Sequence, residues 1–441
     1  MTAIVEQNLE YTLFDWVPQA AINPIPIERA EGIYLYDTSG KRYIDWSSQL
    51  VNVNIGHSHP KVIEAIKAQA DKLLYVHPHM ATEIRGEVAR KLAEITPGRL
   101  QKSLFTLGGT ESNEHAIRIA RLYTGRDKIV TRYRSYHGAT AGAASAGGDP
   151  RRLGAEPGMP WIVRVHDPYR YRCFFCRDLP QCNLMCEEHI EQTILFEGPE
   201  NVAAVLLEGW NGSSGIIQSP RNREYFQRLR QFCDQHGILI IADEVMSGFG
   251  RTGKWFGIEH GGIEPDIMAV AKGLTSAYLP LGATIVSEEI GDYFDKHTLW
   301  AGMTYNSHPV CLAAASACID VYKDENLIER SAQMGEVLER ELAGLQARHP
   351  SLGEYRGVGL FYAIELVKNR ETREPMSDFN QPPSEPMKRL AGYLRENGLF
   401  TMVRWNWIFC APPLVITEEQ LREAIEIISG ALDITDSYCE G

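Results

Sequence analysis

The 441-residue chain has no apolar run approaching the ~20 residues that span a bilayer, so an integral membrane helix is not expected. Its first residues, MTAIVEQNLEYTLFDW, lack a basic segment followed by an apolar one; no secretory signal is read there, and a cytoplasmic location is expected. Positive charge is in deficit. Lys and Arg number 44 against 57 Asp and Glu, a net charge of −13, which argues against a nucleic-acid partner because phosphate binding needs a basic face. Internal repeats and low-complexity tracts are absent, and no glycine loop continues into the Gly-Lys-Ser/Thr of a Walker motif. The remaining balance, 44% apolar and 23% charged, is that of a globular enzyme, and the length suits about two to three domains.

The chain is organised around Gly237 to Thr275. Two apolar runs lie there, Ile238–Ala242 ending in Asp243-Glu244 and Ile267–Ala271 ending in Lys272. Their length and β-branched content are those of buried parallel strands. Ligands of open α/β sheets bind at the carboxyl ends of strands, so Asp243 and Lys272 face one crevice. Two readings compete: a salt bridge at a sheet rim, or a pyridoxal phosphate site. In the second, a lysine forms a Schiff base with the cofactor and an aspartate keeps the pyridine nitrogen protonated.

Around this stretch the pattern alternates between helix and short strand from about residue 85, which predicts a mostly parallel sheet covered by helices on both faces. The segment GIYLYDTSGKRYIDW predicts a β-hairpin turning at Asp37–Gly40. Beyond Tyr305 the chain becomes long helix, interrupted near Asp324, followed by short strands and two amphipathic helices, an α+β composition. The expected division is an N-terminal segment 1–60 joining a small domain, a large domain 61–320 and a C-terminal small domain 321–441.

Further signals point to the same rim. Gly108-Gly109-Thr110 separates a strand from a helix, where glycines admit a phosphate to backbone amides; a plain helix cap is the rival reading. Tyr136-His137-Gly138 follows the strand Ile129–Arg134 and offers a ring for stacking. Glu208 ends the strand Ala203–Leu207. Each alone is weak. Together they supply phosphate cradle, ring stack, pyridinium partner and imine lysine.

Nine cysteines are present, four of them clustered as Cys173, Cys176, Cys182 and Cys186 in the spacing C-x2-C-x5-C-x3-C. Four such thiolates could hold zinc, and an iron–sulfur site is also open, but the spacing is tighter than paired zinc knuckles. The expectation is loop thiols with substoichiometric metal. No metal is assigned to the catalytic chemistry, since neither zinc nor iron takes part in transamination.

The run ADEVMSGFGRTGKWFGIEHGGIEPDIMAVAKGL closely resembles the signature of class III aminotransferases, the pyridoxal phosphate enzymes of fold type I. GHSHPKVIEAIKAQ, FTLGGTESNEHAIRIAR, SYHG, GMTYNSHPVCLAAASA and VRWNWIFCAPPLVITEEQL follow in family order, so the resemblance covers nearly the whole chain. It implies an α/β fold with a smaller α+β domain, and pyridoxal 5'-phosphate joined to Lys272 and paired through its ring nitrogen with Asp243. Val245 and Tyr136 would hold the ring faces, Gly109 and Thr110 the phosphate, with His137 and Glu208 nearby. Thr304 would reach the neighbouring subunit's cofactor, making a homodimer with shared sites. Arg404 would bind the substrate carboxylate, and Trp16, Gln49, Val51 and Tyr136 would shape the pocket. The implied reaction moves an amino group from an ω-amino acid or amine (taurine, β-alanine, 4-aminobutyrate or a simple amine) to pyruvate or 2-oxoglutarate. A decarboxylase or aminomutase of the same fold would share Lys272 and Asp243. A catalytically silent scaffold dimer is the rival from another class.

Overall fold

The structure is a computed structural model and describes residues 3–218 and 221–440. A seven-stranded sheet carries the site. Its order is Leu100–Thr106, Gly282–Ser287, Ile267–Val270, Leu239–Asp243, Val202–Glu208, Lys128–Arg132, Ile162–Val165. Gly282–Ser287 runs antiparallel to both neighbours, and the other six strands share one direction. All seven residues of Val202–Glu208 are buried. Successive side chains of a strand point to opposite faces, and here each face has its own layer. Ala204, Leu206, Ile241 and Ile267 pack with Ala116, Ile117 and Ile119 of the helix Gly109–Thr124. Val205, Leu207, Ile240 and Met268 pack with Tyr225, Phe226 and Leu229 of the helix Asn222–His236. This two-sided burial is why the strands read as continuous apolar runs.

Two smaller sheets flank it. One joins the hairpin strands Tyr34–Asp37 and Arg42–Asp45 to Ile27–Glu31 and, in parallel, to the late strand Leu399–Phe400. The hairpin turn is tied by Asp37 Oδ1, which accepts from the amides of Ser39 (2.9 Å) and Lys41 (3.0 Å). The other sheet has the order Leu352–Val358, Phe361–Asn369, Trp407–Cys410, Val403–Arg404, with Glu374–Pro375 paired to its second strand. The helices Pro309–Asp324 and Leu327–Arg348 break at Asn326, whose φ of 50° ends the helical path. Leu122, in the last turn of the helix Gly109–Thr124, is only half-buried. Among the described residues, no helix is long and apolar enough to cross a membrane.

Candidate active site

The sheet register sets three charged groups side by side. Glu208 and Asp243 are paired at the ends of adjacent parallel strands, and Asp243 is paired in turn with Ala269. Lys272 follows that third strand in the short turn Lys272–Leu274, with φ of 43°. Left-handed backbone is costly for a side-chain-bearing residue and persists where packing enforces it. Lys272, Asp243 and Glu208 line one cavity of about 270 Å³ together with Gly109, Thr110, Tyr136, His137, Val245, Trp16 and Arg404.

Asp243 is held by three groups. Asn113 Nδ2 donates to Oδ2 at 2.8 Å, His137 Nδ1 lies 2.7 Å from the same oxygen, and the Val245 amide donates to Oδ1 at 3.0 Å. With a carboxylate as acceptor, the His137 hydrogen sits on Nδ1. Burial brings the Lys272 ammonium down to about 8, against the opposing pull of the Asp243 and Glu208 carboxylates. Burial pushes Glu208 up to about 7; His137 opposes this and Asp243 adds to it. Glu208 Oε2 accepts from the Gly212 amide at 2.7 Å, whereas its Oε1 is buried without a partner.

The phosphate end follows from close packing. A Cβ on Gly109 would stand 2.6 Å from Val245 Cγ1, so only glycine lets this helix start against Val245. The helix closes its first bond from the Ser112 amide to the Gly108 carbonyl at 3.1 Å. The amides of Gly109, Thr110 and Glu111 therefore lack intrahelical acceptors at the positive end of the helix. Gly138, at φ 149°, passes so close that a Cβ would lie 2.7 Å from Thr110 Oγ1.

The substrate side holds a cluster that the sequence did not reveal. Buried Asp149 accepts from Arg151 Nε at 3.1 and 3.0 Å and from Arg404 Nη2 at 3.1 Å. Burial alone would raise the Asp149 carboxyl, but the two guanidiniums hold it below its usual range. Arg404 Nη1 also donates to the Ser213 carbonyl at 3.0 Å, and its guanidinium stacks 4.0 Å over Trp405. The Arg151 guanidinium lies 3.6 Å from the Tyr136 ring centre, and Trp16 meets Tyr136 edge-on at 6.3 Å. Besides Arg151, the cavity takes in Leu50, Asn113, Ser213, Met246, Met402 and Phe409, none of which was anticipated. One visible signal existed: Asp149-Pro150-Arg151 is a cap sequence, and Asp149 does cap the turn Pro150–Ala155.

Two expected pocket residues lie elsewhere. Ser48, Gln49 and Val51 all have positive φ, between 46° and 59°. This twist sends Val51 into a small cluster with Ile216, Phe361 and Phe409, while Leu50 meets the cavity. Gln49 is likewise outside the cavity lining. Thr304 is exposed and does not line its own chain's cavity; its carbonyl accepts from Tyr75 Oη at 2.7 Å. Asn211, in the loop after Glu208, donates to the Arg134 carbonyl and, at 3.2 Å, to Asp167.

The site fits pyridoxal phosphate. A glycine-cleared helix start offers free amides, a fixed buried carboxylate stands opposite a lysine of lowered pKa, and Glu208 keeps an unpartnered oxygen. The family model described as aminotransferase class-III matches residues 17–432. The chain is 34% identical over 430 residues to putrescine–pyruvate aminotransferase of Pseudomonas aeruginosa, covering 93% of this chain and 90% of that protein. It is 36% identical over 420 residues to isoleucine 2-epimerase of Lentilactobacillus buchneri, with coverage of 93% and 90%. The structure of taurine:2-oxoglutarate aminotransferase from Bifidobacterium kashiwanohense, in complex with pyridoxal phosphate and glutamate, superposes with a TM-score of 0.94 at 38% identity, covering 99% of both chains. The chain belongs to the class-III aminotransferase family and is a pyridoxal phosphate-dependent ω-transaminase of fold type I.

Proposed function

We propose that the amino donor is an ω-amino acid or ω-aminosulfonate (taurine, β-alanine or 4-aminobutyrate), whose anionic end is held by Arg151 and Arg404, and that the acceptor is pyruvate or 2-oxoglutarate. The carrying observation is the pair of guanidiniums that converge on Asp149 in the same cavity as Lys272. Arg presents a fixed fork of donors suited to carboxylates and sulfonates. Simple amines, the remaining donor class, would leave one of the two guanidinium charges beside Asp149 unbalanced. The relative named for taurine and 2-oxoglutarate supports the reading.

In this reading each site residue has a defined task. Gly109, Thr110 and the free helix amides bind phosphate, and Val245 and Tyr136 bracket the ring. Asp243, oriented by Asn113 and His137, holds positive charge at the ring nitrogen. Bound pyridoxal phosphate supplies an electron sink for the pair left when the donor's amino-bearing carbon loses its proton. Lys272 Nζ takes that proton and returns it; a pKa near 8 leaves much of the amine neutral at mildly alkaline pH. Glu208 shapes the field around Lys272.

The same reading includes a homodimer in which Thr304 reaches the other subunit's site. Tyr75, Trp300 and Tyr305 are exposed beside it, apolar surface that a second copy would cover. A cytoplasmic setting also belongs to it, because all nine cysteines are unpaired. The test is a panel of taurine, β-alanine, 4-aminobutyrate and putrescine against both keto acids. Faster turnover of the three anionic-ended donors supports the reading, and preference for putrescine overturns it. One observation favours a second reading, the similarity to an epimerase; that activity would proceed without any keto acid.

A further inference from the structure

We propose that Asp149 fixes the charge a donor must carry at its far end: beside Arg151 and Arg404 it leaves one positive charge in excess, which admits a monoanionic sulfonate or carboxylate and rejects the dianionic phosphonate of the same shape. This selection presupposes that the two arginines hold the donor's anionic end. The Asp149 side chain is 1% exposed, against 20% for Arg151 and 27% for Arg404. Arg151 binds it along one edge of the guanidinium, through Nε and Nη2, and the Arg151 amide donates to Oδ1 at 2.9 Å. Arg404 adds Nη2 at 3.1 Å. One buried carboxylate thus answers two guanidiniums.

All three groups are held in place, so the charge count belongs to the cavity itself. Gly148 packs so tightly on the end of the strand Lys128–Arg132 that a Cβ would stand 2.2 Å from the Arg132 carbonyl oxygen, and the Asp149 amide donates to the Ser135 carbonyl at 3.1 Å. Asp149 therefore enters the site from a pinned backbone. The Arg151 guanidinium lies 3.6 Å from the Tyr136 ring centre and 5.3 Å from that of Trp16. Arg404 is held by the Ser213 carbonyl at 3.0 Å and by the face of Trp405 at 4.0 Å. Tyr136 adds no charge, because burial raises its phenol above the ordinary range. The other charged groups lining the cavity are Lys272, Asp243 and Glu208, which serve the cofactor.

In a partly desolvated cavity each charge counts for more than it does in water. A sulfonate or carboxylate neutralises the one in excess. A phosphonate carries close to two negative charges at mildly alkaline pH, as phosphate monoesters do above a second pKa of ~6. Its second charge then meets Asp149 with no cation left to answer it. Charges at ~4–6 Å shift an ionisation by ~1–3 pK units, equivalent to ~10-fold or more in affinity. Taurine and 2-aminoethylphosphonate have the same chain length and the same tetrahedral far end, so they differ there in charge rather than shape. Neither the loop composition nor the spacing of Asp149 and Arg404 announces this selection; the shared carboxylate does.

The test compares taurine with 2-aminoethylphosphonate on the holoenzyme at mildly alkaline pH, with pyruvate as acceptor. Wild type should favour taurine by ~10-fold or more in kcat/KM. Asp149→Asn keeps the shape and still accepts from the Arg151 amide; it should reduce that ratio by ~10-fold or more, chiefly through KM for the phosphonate. Because the variant could fold poorly, calorimetric binding of ethanesulfonate and ethylphosphonate to the wild-type holoenzyme gives a second readout. The ratio of their dissociation constants should fall towards one as pH drops through the phosphonate's second pKa, where both probes become monoanions. Equal turnover of the two donors by wild type, a ratio unmoved in Asp149→Asn, or a binding ratio independent of pH would each overturn the role of Asp149. Preference for putrescine over taurine would instead overturn the donor reading beneath it, so the two failures are told apart.

Discussion

His137 Nδ1 lies 2.7 Å from Asp243 Oδ2, with both side chains buried, and Asn113 Nδ2 donates to the same oxygen at 2.8 Å. The carboxylate at the centre of the site is thus oriented from outside the strand that carries it. Asp243→Asn keeps the shape and removes the charge. A loss in kcat of about 10²-fold or more is expected, the scale seen when one preorganised electrostatic group is removed. His137→Phe should cost less, because Asn113 and the Val245 amide remain. Equal kcat for wild type and Asp243→Asn under saturating cofactor would refute the role of this charge.

Lys272→Ala should retain cofactor through the phosphate and ring contacts but lose the absorbance near ~400 nm that marks a lysine Schiff base. Turnover of every donor should vanish with it. Surviving turnover would place the proton transfer on another group.

The pH dependence follows from burial. The Lys272 amine, with its pKa lowered to about 8, is neutral above that value and protonated below it, so activity that needs a neutral amine declines as pH falls through about 8. Glu208 raises that pKa when charged. Glu208→Gln should therefore move the acid limb of the kcat profile to lower pH, and a shift to higher pH would contradict the electrostatic account.

Arg151 and Arg404 should separate donors by their far end. Charge-assisted hydrogen bonds contribute about 1.5–3 kcal/mol. Arg151→Ala or Arg404→Ala should raise KM for taurine, β-alanine and 4-aminobutyrate by about 10- to 100-fold while leaving an uncharged primary amine little affected. Equal losses for both donor types would show that the arginines act only on the fold.

A stability prediction concerns Glu365. Burial would raise its carboxyl, but Arg356 and Arg172, with Tyr169, hold it at about 2. The folded pKa lies below the ordinary glutamate value of 4.5, so the stabilisation is complete above that value and is lost as pH falls towards about 2. The difference corresponds to roughly 3 kcal/mol. Glu365→Ala takes the carboxylate partner from Arg172 and leaves Arg356 with Glu354 alone, and should destabilise the fold by about 3–5 kcal/mol, read as a lower denaturation midpoint. An unchanged midpoint would show that the arginines find other partners.

The positions of Asp243 and Lys272 were legible because each ends an apolar run, and parallel strands leave that mark in the sequence. Gly109 and Tyr136 were legible as punctuation between strand and helix. Arg151 and Asp149 were not, since they sit in a small-residue loop without periodicity and act through contacts with Arg404, more than 250 positions away. The exchange of Val51 for Leu50 turns on positive φ at three non-glycine residues, which no side-chain pattern announces. The strand Gly282–Ser287 went unread because it is buried on both faces and shows no alternation.

The central claim, transfer of an amino group by way of the enzyme-bound cofactor, is tested most directly by a single half-reaction. Enzyme saturated with pyridoxal phosphate and freed of excess cofactor is mixed with taurine or β-alanine without keto acid, and the carbonyl product is counted per active site. The account predicts a stop at about one product per site, then release of one equivalent of amino acid when pyruvate or 2-oxoglutarate is added. Continuous conversion of the donor without keto acid would contradict it.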